Sequence, residues 1–400
     1  MLRDALAGLT VLDFTQIAAG PTCTMLLADM GARVIKVEPP EGDLGRTLGP
    51  AWVGDSSALY HGFNRGKQGL CLDLKNPAAL DVARRLVIEA DVLIESMRPG
   101  VMARLGLGFE AVAALNPALV YCSISAYGQE GPYADRAGVD GILQADSGLM
   151  SLIGIPGAPP CKVQAPVVDV VTGYMACMAI LAKLQARHRD GEGGHLDVSL
   201  MNSALALQQS SISSYLHDGE LPSPIGSAAP YSAPNEAFRT NDGWIMVAAY
   251  NGNRWPRLCT LLGHPEWADD PRFASSAQRV AHRAEMQEAL NAVFATQDTA
   301  HWLERLRAAD ILCAKVADYS DLLKHPQLAS NGMLARIEHP RHGTLRVPGF
   351  PVNSQEAARQ PYKPAPDKGE HSREVLAELG YGEGDVAALL ESGAVQGQSL

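Results

Sequence analysis

The sequence predicts an α/β fold, with a large domain built on a helix-covered parallel sheet and a smaller α+β domain after it. Three observations carry this. Strand-like and helix-like segments alternate from Leu9 to Ser125. The 400 residues exceed what one core usually supports, and roughly 150 residues per domain gives two or three. The texture then changes near Gly226, where Gly, Pro and Ser cluster.

Taken in order, LTVLDF (Leu9 to Phe14) is a β-rich run, Gly20 to Ala32 has helical spacing, and RVIKVE (Arg33 to Glu38) alternates as a strand, which makes one βαβ unit. Asn76 and Pro77 suit the N-cap and first position of a helix over AALDVARRLVIEA, and strand DVLIES follows. FEAVAALNP then leads into strand LVYCSIS. Ligands of such a sheet gather at the carboxyl ends of its strands. The first turn, TQIAAGPTCT, lacks GxGxxG, so the large domain is Rossmann-like without the dinucleotide fingerprint, which argues against NAD. Past Gly226, GSAAPYSAPNEAF reads as linker and GWIMVAAYNGNRW as a strand entering a Gly/Asn turn. RVAHRAEMQEALNAVFA and TAHWLERLRAA read as helices. GTLRVPGFPV and GEHSREVLAELGY bring the chain back. The expected division is 1–225, 226–335 and a returning segment 336–400.

A composition of 46% hydrophobic and 19% charged residues is that of a globular chain. Net charge of -11 argues against a nucleic-acid surface, so an anionic ligand must be held by placed cations and backbone. The longest apolar runs are interrupted before the roughly 18 to 20 residues that span a bilayer, and no secretory signal is apparent. A cytoplasmic protein without membrane partners is expected. The seven cysteines have no CxxC spacing, which indicates neither a disulfide scaffold nor a zinc site.

One residue is out of place. Asp169 sits among Pro166, Val167, Val168, Val170 and Val171, with no basic residue beside it. A carboxylate there is costly unless paired, hydrogen-bonded or chemically employed. The residues alone favour a helix N-cap ahead of VVTGYMACMAIL.

Several blocks together resemble the class III CoA-transferases, the formyl-CoA transferase or carnitine CoA-transferase family. They are LDFTQIAAGPTCTMLLADMGARVIKVEPPEGD, FNRGKQGLCLDLKNP, LIESMRPGVMARLGLG, NPALVYCSISAYGQEGPY, PVVDVVTGYMACMAIL, GGHLDVSL and GEHSREVLAELGY, spread from Leu9 to Tyr381 in family order. The resemblance implies that Asp169 is a nucleophile that carries CoA between acids through covalent intermediates. A CoA thioester is then a substrate, and no permanently bound cofactor or metal is needed. The donor it implies is succinyl-CoA. The acceptor is a small dicarboxylate such as itaconate, mesaconate, malate or glutarate, with formyl-CoA:oxalate transfer as an alternative.

Among residues, the resemblance implies CoA phosphate binding by Lys75 and Arg104, with Arg98 and Lys67 also in matching blocks. It places the reacting acid near Gln16 and Ala18, and near Val139 and Asp140. Racemases of the same family carry a histidine about thirty residues before the aspartate; here Val139 stands in that place and cannot move a proton, while His188 and His195 read as solvated residues of a polar turn. The family's glycine-rich lid corresponds to Asn251-Gly252-Asn253. Its members form interlocked homodimers, which the long linkers Gly219 to Pro234 and Gly349 to His371 suit.

Overall fold

The computed structural model describes residues 2–352 and 362–397, which form two compact units. The first comprises 1–150, 162–220 and 329–400, the second 151–161 and 221–328. The expected boundaries at 225 and 335 therefore move to 220 and 328, and 151–161 leaves the large unit. Part of the anticipated linker Gly349 to His371 lies outside the described residues.

The large unit has β1 (Thr10–Phe14), β2 (Arg33–Glu38), the short ladder β3 (Trp52–Val53) and β4 (Ser56–Ser57), β5 (Gln68–Leu72), β6 (Val92–Glu95), β7 (Val120–Ser125) and β8 (Gly194–Ser199). The second unit holds β9 (Asn235–Arg239), β10 (Trp244–Ala248) and β11 (Leu312–Lys315). The chain then returns through the hairpin β12 (Leu334–His339) and β13 (Gly343–Pro348), and through β14 (Val395–Gln396). One sheet runs β14-β5-β2-β1-β6-β7-β8. All its pairings are parallel except that of β14 with β5. From β1 the chain builds outward through β2 and β5 on one side, and through β6, β7 and β8 on the other. The order thus reverses between β1 and β6, where an open α/β sheet leaves a crevice.

Successive side chains of a strand point to opposite faces, and both faces of this sheet are covered. Leu12, Ile35, Leu70 and Leu93 pack on α3 (Pro77–Glu89) and the C-terminal helices, whereas Val11, Val34, Ile94 and Cys122 pack on α1 (Ala19–Asp29) and α7 (Val167–Asp190). Here α2 is Ala58–Phe63, α4 Val101–Arg104, α5 Phe109–Leu115, α6 Asp140–Asp146, α8 Leu200–Leu207 and α9 Gln209–Asp218. Asn76 caps α3 as its sequence suggests, accepting from the Ala78 amide, with Pro77 following. The 24-residue α7 is long and apolar enough to cross a bilayer. Yet Val168, Thr172, Ala176, Ile180 and Leu184 are buried against α1 and the sheet, as in a core helix.

The second unit packs helices on the antiparallel order β11-β10-β9 around Phe238, Ile245, Trp255, Phe294 and Trp302. Residues 235–238, read from sequence as linker, belong to β9. The helix expected over 279–295 is two, Ser276–Ala281 and Arg283–Phe294, meeting at His282.

Candidate active site

Two adjoining cavities open where the sheet order reverses. Phe14 at the end of β1, Gln16 just past it and Met97 past β6 line both. The larger, about 670 Å³, also takes in Ala18, Val139, Asp140, Lys162, Gln164 and Asp169. The smaller, about 490 Å³, takes in Glu38, Pro39, Leu74, Lys75, Val101 and Leu105. Both volumes fall in the range of small-molecule sites.

Asp169 is not the cap of α7. Pro166 holds that position and offers no side-chain bond, so Asp169 stands third in the helix. The capping comes from α6 instead. Asp140, 7% exposed, accepts from the Val168 amide at 2.8 Å and the Asp169 amide at 3.4 Å through Oδ2, while Gln144 donates to its Oδ1 at 2.6 Å. The Asp169 carboxylate is relieved of that duty, and no hydrogen bond to it is recorded among the described residues. Burial, followed by the charge of Asp140, pushes it up to about 7 against the opposing pull of Lys162. A half-buried carboxylate of that basicity is a better nucleophile than an ordinary surface aspartate, and about half of it is ionised at neutral pH.

The opposite wall is the entrance to α1. Ala18, its N-cap, makes no side-chain cap bond and Pro21 carries no N–H, so the amides of Ala19 and Gly20 are the helix-start donors that a ligand oxygen can meet. The preceding residue, Ile17, has φ +69°, a left-handed conformation rare for a β-branched side chain. Its amide donates to Asp43 Oδ1 at 3.0 Å, and the Gln16 amide to Ser96 Oγ at 3.2 Å, which pins this turn at the cavity. Helices α1 and α7 approach closely because residue 173 is glycine; a Cβ there would lie 2.6 Å from the Ala19 carbonyl oxygen and from Thr22. One turn of α7 earlier stands Asp169.

Gln16, Ala18, Val139, Asp140 and Asp169 are thus brought together. Lys162 and Gln164 were not anticipated. Lys162 lies seven residues before Asp169 in what reads as an ordinary polar loop, and its side chain passes over Gly141, beside Asp140. Of the four cations assigned to CoA, Lys75 lines the smaller cavity. Arg98 and Arg104 are exposed and bracket the turn that carries Val101, without lining it. Lys67 is a correction. Its ammonium is fully buried, 2.9 Å from Asp13, and also bonds Asn64, so it cannot reach a phosphate. Burial opposes the charge on Asp13, but Lys67, Lys36 and the hydroxyls of Thr15 and Thr24 hold its carboxyl well below the usual range. The pair props β1 from beneath. His195 is likewise not a solvated turn residue: it lies in β8, 3.0 Å from Ser123 Oγ and stacked on Phe109. Asn251 Oδ1 accepts from the Arg254 amide at 3.0 Å, at the start of the helix Arg254–Leu262 in the second unit, and the Asn251-Gly252-Asn253 turn lines neither cavity.

The model of CoA-transferase family III matches residues 6–372. The chain belongs to CoA-transferase family III. It is 35% identical to succinyl-CoA:glutarate CoA-transferase of Mus musculus over 98% of this chain and 90% of that protein. It is 38% identical to succinate--glutarate CoA-transferase of Agrobacterium fabrum over 94% of this chain and 96% of that one. Its fold is similar to that of a CaiB/BaiF family protein from Brucella suis, with TM-score 0.84 and 35% identity over 94% of this chain and 99% of that chain. The enzyme is therefore a class III CoA-transferase, as the sequence blocks implied. No histidine lines the larger cavity among the described residues, so a racemase's proton carrier has no counterpart at Val139.

Proposed function

We infer that this CoA-transferase moves CoA from succinyl-CoA to a small dicarboxylic acid, glutarate foremost, through covalent intermediates on Asp169. The observation that carries the reading is the Asp169 carboxylate, raised to about 7 and lining the larger cavity with no hydrogen-bond partner recorded among the described residues. The acids come from what the mouse and Agrobacterium relatives act on. An Asp169 oxygen attacks the thioester carbonyl, the C–S bond breaks, and CoA thiolate leaves a mixed anhydride. The thiolate then attacks the aspartyl carbonyl and releases succinate. The acceptor carboxylate attacks the resulting aspartyl-CoA thioester, expelling the thiolate again, and the thiolate takes the acceptor's acyl group to regenerate Asp169. Each oxyanion forms beside the uncapped start of α1. Lys162 is the cation for the acceptor's second carboxylate, and the smaller cavity, with Lys75 at its edge, receives the adenosine end of CoA. This chemistry calls for no resident cofactor.

The working form in this reading is an interlocked homodimer. The large unit is made of three chain segments between which the second unit is inserted, and the large unit exposes Tyr174, Met178, Leu205, Tyr215 and Leu216, apolar area that a partner copy would cover.

The deciding variant is Asp169→Asn, nearly isosteric and no nucleophile. Turnover should fall by at least ~10³-fold while CoA still binds, and wild type with succinyl-CoA should give a hydroxylamine-sensitive adduct on the peptide containing Asp169. An active Asn variant, or an adduct on another residue, overturns the mechanism. CoA exchange between succinyl-CoA and a panel of acids then ranks the acceptors.

A further inference from the structure

Far from Asp169 in sequence, the return of the chain to the large unit brings three imidazoles and a carboxylate together. His339 ends β12 and His342 ends the turn into β13, with ring centroids 4.4 Å apart. Asp367 follows on the returning segment. One ligand atom from each of His339, His342 and Asp367 lies within 4.8 Å of the others. His61, on α2, faces both histidines, its ring centroid 5.6 Å from that of His339 and 6.1 Å from that of His342.

These groups are not solvated surface residues. His61 is 3% and His339 5% exposed; Nε2 of His339 is buried with no partner in hydrogen-bond geometry, and of the two buried His61 nitrogens only a loose approach to the Val53 backbone is made. A buried polar atom left so is costly, and it calls for an explanation. A cation bound through Nε2 of His339 and one nitrogen of His61 explains two of the three, and the other His61 nitrogen is turned to the Val53 backbone.

We propose that His339, His342 and Asp367, with His61 as fourth ligand, bind a borderline divalent transition ion, with Zn²⁺ as the reference metal. Two or three imidazoles and one carboxylate are the donor set such ions prefer, at about 2.0–2.2 Å from each ligand. Ligand atoms then stand ~3.3 Å apart, so the cluster tightens by roughly 1 Å on binding. Two local contacts give way. The guanidinium of Arg341, now ion-paired with Asp367, is exposed and turns to water as the metal replaces it as counter-ion. The Arg341 amide, 3.2 Å from His339 Nδ1, loses its acceptor because Nδ1 carries the ring proton once Nε2 is metallated. The His342 ring rests on Gly54, where a Cβ would lie 2.2 Å from Cε1, so the absence of a side chain there leaves room for the ring.

The role is structural. The ion would tie α2, the β12–β13 turn and the segment before Ser372 into one piece. That piece borders the smaller cavity: Tyr60, beside His61, contacts Glu38 at 3.2 Å, and Pro366, beside Asp367, accepts from Arg46, which is paired with Glu38. Glu38 lines the cavity wall.

The test uses full-length protein prepared without a polyhistidine tag, stripped with chelator and dialysed against Zn²⁺ or, separately, Co²⁺. Metal analysis should find about one equivalent per chain, Co²⁺ should give visible d–d absorption, and the thermal midpoint should rise by about 3–6 °C at a hundredfold excess over Kd. His342→Ala, at a half-buried turn position that tolerates truncation, should bind less than ~0.1 equivalent and lose the shift. Arg341→Gln should bind more tightly than wild type. Stripped wild type that takes up no metal and shows no shift overturns the proposal. So does metal retained by His342→Ala, which would place it elsewhere, for instance on cysteines.

Discussion

At Asp169 the fold works against its own charge, and this has a measurable sign. The folded carboxyl is raised to about 7 from the ordinary aspartate value of about 4, so the folded state holds a proton that the unfolded state releases. Stability from this group is therefore complete below about pH 4 and is lost as pH rises through 7. Asp169→Asn should match wild type in unfolding free energy at pH 4 and exceed it by about 1–3 kcal/mol at pH 8, as read by denaturant titration. Activity runs the other way. The nucleophile must be ionised, so kcat/KM should climb through pH 7 and level off above it. Asp140→Asn keeps an oxygen for the Val168 amide but removes the like charge, so the rise should move down by about one pH unit, burial still holding it above 4. An unshifted profile would mean that burial alone sets this value. Lys162 offers a separate check: Lys162→Ala should raise KM for a dicarboxylate acceptor about 10–100-fold and leave a monocarboxylate of equal length nearly unchanged, whereas equal losses for both would remove Lys162 from recognition. The oddity of Asp169 was legible from its apolar neighbours. Its capping partner and its cation were not, because Asp140 and Lys162 lie in loops and short helices whose placement no periodicity encodes. Lys67 misled for the same reason: its counter-ion, Asp13, is 54 residues away.

Among the elements, the legible ones were those whose local chemistry agrees with the fold. Asn76-Pro77 starts α3, and the alternation of RVIKVE makes β2. The strand β9 was missed because its buried Glu236 interrupts the apolar pattern, and its partner Arg283 comes 47 residues later. The α1–α7 crossing depends on one missing methyl. Gly173→Ala would place a Cβ 2.6 Å from the Ala19 carbonyl, so the helices must separate, at about 1–3 kcal/mol for such overpacking. Because Asp169 and the α1 entrance face each other across this crossing, kcat should fall with stability. Circular dichroism melts and turnover on the same preparation test it. A variant as stable and active as wild type would mean that the crossing does not set the site.

For the molecule as a whole, the α/β class with its large parallel sheet was legible, while the detour of 151–161 into the second unit was not, since IGIPGAPP carries only turn chemistry. If the homodimer is interlocked, dissociation requires unthreading rather than simple separation, so mass photometry should still find dimers at nanomolar concentration; an active monomer there would exclude interlocking. The pairing of β14 with β5 has a further consequence, in time. Val395 and Gln396 seal an edge whose partners, Leu72 and Cys71, leave the ribosome some three hundred residues earlier. At roughly 5–20 residues per second that edge waits about 15–60 s for its cover. During that interval the nascent chain presents a half-finished sheet with an open hydrogen-bonding margin, which makes it a natural client for chaperones that hold extended segments.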